Sequence, residues 1–233
     1  MQVLIYIGLI LLGGLLNFII ELKGKPVHSL ANGYLCLALL LSLVVWTFYF
    51  AGIKNAVILK ILSFTMEWGG MLGHLILGYL TGNILLLLSS PEIPVDNYPL
   101  KTLIRTTLWS ISILVGNSFI LATVGKATNM PYMIGFFKQS GYAIWFLYFI
   151  MTVEVLGGLG VLLHFKLRTG PLAAVGLMFI MFGAVYTHFH NKDPFSDSYA
   201  AVSQLISLSL MLVLYYFEKQ AHREPPVTSI YVI

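Results

Sequence analysis

Residues 140–191 read SGYAIWFLYFIMTVEVLGGLGVLLHFKLRTGPLAAVGLMFIMFGAVYTHFHN. Two long apolar runs are joined by a short basic turn, KLRTGP at 166–171. Each run approaches the roughly 20 residues that an α-helix needs to cross a hydrocarbon core about 30 Å thick. The stretch therefore reads as a helical hairpin in a bilayer. One carboxylate, Glu154, interrupts the first run near its middle. A charge at that depth costs about 3 kcal/mol or more, so Glu154 is expected to be protonated, paired or turned to a wet cavity. His164 closes the first run, and His188 and His190 close the second.

The same pattern fills the rest of the chain. Of its 233 residues, 58% are hydrophobic and 9% charged, and the mean hydropathy is +0.88. A soluble domain carries about 25% charged residues, so too few charges remain to cover a water-facing surface. Nor does period-two alternation recur in segments of about 10 residues, as a transmembrane barrel requires. Backbone groups in lipid must be satisfied internally. The expected fold is thus an all-α integral membrane protein, a helical bundle of about seven transmembrane helices. Spans are expected at 2–21, 31–52, 62–88, 104–125, 141–163, 171–189 and 199–217. The first has no Lys or Arg before it and no small-residue cleavage site, so it reads as a retained helix and not a leader.

The clearest interruption is PEIPVDNYP at 91–99, with three prolines in nine residues, a composition that breaks helices. It divides the chain into an N-terminal three-helix membrane region (1–90), a Pro-rich linker (91–101), a four-helix membrane domain (102–218) and a polar tail (219–233). With the N-terminus outside, eight Lys and Arg fall on the inner side (23, 25, 101, 105, 166, 168, 219, 223) and five on the outer (54, 60, 126, 138, 192). That bias favours a cytoplasmic C-terminus, as in a bacterial inner membrane. The net charge of +4 is spread over these short loops, a pattern of lipid contact and orientation that implies no nucleic acid.

Composition and spacing also exclude several chemistries. Cys36 is the single cysteine, which removes intramolecular disulfides and CxxC motifs. Phosphate-cradling and nucleophile-elbow motifs do not occur. His188 and His190, two apart, face different sides of a helix, and no second pair has zinc spacing. A metal is therefore not expected. Heme is not expected either, because His74 is the one histidine well inside an expected span.

The polar candidates are few. Glu67 and His74 stand seven apart, on one helix face with Gly70, roughly 10 Å along the axis. They read either as part of a proton path or quinone-headgroup site, or as an interfacial carboxylate reaching water beside a histidine bonded to a backbone carbonyl. Gly157, Gly158 and Gly160 follow Glu154 and permit close approach of a helix or of a flat ligand. Asn17, Asn83 and Asn117 are expected to make single hydrogen bonds between helices.

Residues from about 102 to 217 carry a set of short motifs in order. A helix ends in ATVGK (122–126), MIGFFKQSG (133–141) leads into the next, and EVLGG (154–158) follows. Then come the basic turn, MFGA (181–184) and Thr187-His188. In this respect the segment resembles the DoxX and DoxX-like family of four-helix membrane proteins. The resemblance leaves the first 90 residues unexplained. It implies a four-helix topology with both ends inside and singles out Glu154, Lys126 and His188. It also implies association with membrane redox enzymes for some members and assembly roles for others.

Three functions follow as expectations. The first is a redox-associated membrane subunit that contacts quinone or relays protons through buried Glu and His. The second is a non-enzymatic scaffold or assembly factor, with a protein partner or a homo-oligomer. The third is a small proton-coupled transporter. Whether any catalysis occurs is left open by the residues themselves.

Overall fold

The computed structural model describes residues 2–23, 25–50, 52, 55–89 and 98–221; side chains within these are described except at 2, 25–27, 49–50, 62–63, 65–68 and 98–99. Nine helices and no strand occur among the described residues. They are α1 (Gln2–Leu22), α2 (Lys25–Phe50), α3 (Ala56–Ser89), α4 (Tyr98–Thr128), α5 (Met130–Gln139), α6 (Ile144–Leu162), α7 (His164–Leu167), α8 (Gly170–His190) and α9 (Phe195–Ala221). Seven of them are long and apolar enough to cross a membrane. The chain is an all-α multi-pass membrane bundle. Most of the 91–99 linker lies outside the described residues, as does the tail after Ala221.

α4 is the central strut. It packs against α2, α3, α6 and α9, and Ile104, Leu108, Ile111, Val115 and Phe119 along it are buried. Facing side chains such as Leu80, Ile84, Leu177 and Leu208 complete one contiguous core. Outside it, Leu11, Phe18, Trp145, Phe179 and Phe189 are exposed, which suits a surface whose solvent is lipid. The closest helix pair is α1 and α3, which run parallel. Gly13 lies against the backbone of Leu75 and Tyr79, and Gly78 against the backbone of Ile10. Without side chains at these points the two backbones approach as small residues allow in membranes.

Several boundaries differ from the sequence expectation. α2 begins at Lys25 and not near 31, which draws His28 into the bundle. The segment before α6 is itself a helix, α5, entered through Pro131, since a first-turn proline sacrifices no hydrogen bond. α5 is closed by a Schellman turn: Tyr142 N–H donates to the Phe137 carbonyl and Gly141 N–H to that of Lys138. Gly141 sits at φ 80, where a Cβ is disfavoured. The turn at 163–169 winds into the single-turn α7 and ends on Arg168 in the left-handed region.

Candidate functional site

Glu154 lies on α6 at 2% exposure, facing the antiparallel α4. Lys126, in the last turn of α4, folds back along its own helix and meets it. Its Nζ donates to both carboxylate oxygens at 2.8 Å. Thr123, one turn earlier, donates its hydroxyl to Oε2 at 3.0 Å. Two donor groups therefore make three hydrogen bonds to a carboxylate that would otherwise be a bare charge in lipid. Lys126 was expected on the outer side at the end of its helix; pairing with Glu154 holds it at the helix seam, with its side chain 21% exposed.

The glycines beside Glu154 set this geometry. A Cβ on Gly158 would meet the Gly116 carbonyl at 2.9 Å, which brings α4 and α6 together. One on Gly157 would strike Leu177 of α8, and one on Gly160 would meet Ala173 of α8 at 2.9 Å. These positions contact neighbouring helices on both sides. Gly70, by contrast, is exposed; its nearest neighbour is the Tyr6 hydroxyl, 3.4 Å from an added Cβ.

The other candidates do not converge on Glu154. His188 Nδ1 is 2.7 Å from Asp193 Oδ2 at the C-terminal end of α8, and His190 stacks on Tyr186. The His-x-His stretch thus divides between a local ion pair and a ring contact. His74 Nδ1 donates to the Gly70 carbonyl at 2.6 Å. Its ring lies flat on Tyr6, with centroids 4.1 Å apart, and near Tyr199 at 5.6 Å. This stack joins α1, α3 and α9, and His74 Nε2 is buried without a hydrogen-bond partner. The Glu67 side chain lies outside the described residues.

Two polar centres were not anticipated as sites. His164, 5% exposed, accepts the Gly170 N–H on Nδ1 at 3.2 Å and faces Glu218 Oε2 through Nε2 at 2.9 Å. An acceptor Nδ1 requires the proton on Nε2, so His164 is the neutral Nε2–H tautomer donating to Glu218. The second centre joins four helices. Asn83 of α3 accepts from Asn17 of α1 (2.7 Å) and from His28 of α2 (2.9 Å). It donates to Asn32 of α2 (2.5 Å) and to Thr107 of α4 (3.0 Å). His28 Nδ1 meets Glu21 Oε2 at 3.0 Å. His28 and His164 are both buried, at the ends of their helices, whereas His74 lies within a span. Asn17 and Asn83 belong to one network, while Asn117 is half-buried and stands outside it. The signal that marks this network is three asparagines and a histidine in otherwise apolar runs, read together across helices.

Comparison with known proteins adds one finding. Residues 110–213 match the family model described as the DoxX-like family. That segment contains Thr123, Lys126, Glu154, His164 and His188 and excludes α1–α3. Neither a curated protein nor a solved structure matches the chain.

Proposed function

We propose, from the premise that residues 110–213 of this membrane protein are DoxX-like, that the chain is a non-enzymatic scaffold or assembly factor for a membrane protein partner. One observation supports this reading above the others. Glu154, the carboxylate buried inside the α4–α6 seam, is occupied by Lys126 and Thr123. A carboxylate paired in this way across α4 and α6 joins the two helices. In this reading residues 1–90 form an N-terminal three-helix region packed against a four-helix unit at 102–218. The N-terminus is outside and the C-terminus cytoplasmic, in a bacterial inner membrane.

A redox-associated role, with quinone contact or proton relay, is the second reading. It draws support from the Tyr6–His74–Tyr199 stack and the unpartnered His74 Nε2. Purification from native membranes at native abundance separates the two. The scaffold reading expects a partner at fixed stoichiometry and no co-extracted quinone. A partner-free, monodisperse protein would overturn it. About one quinone per chain, together with coupled activity lost in Glu154→Gln, would establish the second reading in its place.

A further inference from the structure

A half-open groove of about 600 Å³ runs along the α1–α3 pair. Gly78, Gly82, Leu11, Phe18 and Leu85 are among the residues that line it. It extends from Ile10 and Gly78 to Glu21 and Ser89, about 16 Å at the rise of an α-helix. Because the helices are parallel, its polar residues Glu21 and Ser89 share one end. Both stand in the last turn of their helices.

The groups that face this groove have one chemical character. Asn17 is 2% exposed. Its Nδ2 is spent on the Tyr79 carbonyl at 3.1 Å and on Asn83 Oδ1 at 2.7 Å. Its Oδ1 lies over Gly82, where an added Cβ would meet it at 2.7 Å, and accepts no hydrogen bond among the described residues. Thr81 and Ser89 donate their hydroxyl protons to the Leu77 and Leu86 carbonyls at 2.8 and 2.9 Å. Glu21 brings a carboxylate, of which Oε2 is held by His28. What the groove leaves open is therefore a set of acceptors, and its one charged lining residue is acidic.

We propose that this groove is a binding site for an aminophospholipid. Its acyl chain would lie along Leu11, Phe18 and Leu85 and its primary ammonium would donate to Glu21 and Asn17 Oδ1. The polarity selects the head. A choline group carries no N–H, and an oxidised quinone offers acceptors to a site that already consists of acceptors. A primary ammonium can donate to these acceptors and its methylated counterpart cannot, so the donor head is favoured.

The test is native mass spectrometry of the full chain. The protein is equilibrated with equal amounts of phosphatidylethanolamine and phosphatidylcholine of the same acyl composition. Retention of the ethanolamine lipid should exceed that of the choline lipid about tenfold, as a charge-assisted hydrogen bond implies. Leu85→Trp fills the groove from a position 60% exposed, so it should abolish the adduct without changing the melting temperature. Glu21→Gln should lower the preference. Equal retention of the two lipids, or an undiminished adduct in Leu85→Trp, would overturn the proposal. So would a second copy in place of lipid, seen as a Leu85→Cys disulfide between chains in a Cys36→Ser background.

Discussion

At the scale of single residues, the buried Glu154 and His164 each meet specific partners. His164 accepts the Gly170 N–H on Nδ1 and donates to Glu218 from Nε2. ¹⁵N NMR of labelled protein should accordingly show a protonated Nε2 and a bare Nδ1; the opposite tautomer would contradict the geometry. Thr123 supplies one of three hydrogen bonds to Glu154, so Thr123→Val should cost about 1 kcal/mol in thermal unfolding, the ordinary net worth of one hydrogen bond. Glu154 was legible in the sequence because a lone carboxylate in an apolar run is conspicuous. The resemblance singled out Lys126 as well, but their pairing was not legible, because 28 positions separate the two and no spacing rule joins them. His28 was hidden for a different reason: with Pro26 and two lysines close by, it reads as part of a turn.

At the scale of helices, glycines set the spacing, and their roles divide by what stands opposite. Gly116 faces the Gly158 carbonyl at 2.9 Å and Leu162. Gly125, on the same helix, has nothing within 4 Å of an added Cβ. Gly116→Ala should therefore destabilise the bundle by about 1–3 kcal/mol through overpacking. Gly125→Ala should be neutral or stabilise it by up to about 1 kcal/mol through helix propensity. Melting of the two variants in one lipid composition checks both signs. The seven long helices were readable from run length and hydropathy alone. Which glycines touch another backbone was not, because that depends on the rotation of each helix. α5 escaped because ten residues are too few to register as a span, and its Schellman turn shows only once Gly141 is seen at positive φ.

At the scale of the molecule, α4 belongs to both halves: it packs on α2 and α3 on one side and on α6 and α9 on the other. The DoxX-like match includes most of α4 and none of α1–α3, so the three added helices extend a shared strut. The proposed orientation places the turn at 191–194 outside. Asp193→Cys, in a Cys36→Ser background, should react with a membrane-impermeant maleimide on intact cells. Labelling confined to opened cells would reverse the orientation. The central claim is that Glu154 and Lys126 form a structural ion pair that holds α4 to α6. It is tested most directly by a double-mutant cycle on bundle stability in lipid nanodiscs, with Glu154→Leu and Lys126→Met. Each single change should cost about 3 kcal/mol or more by stranding a charge, and the double change less than the sum, with a coupling of about 2 kcal/mol or more. Additivity within about 0.5 kcal/mol would contradict the pair and return Glu154 to the role of a free carboxylate in the membrane.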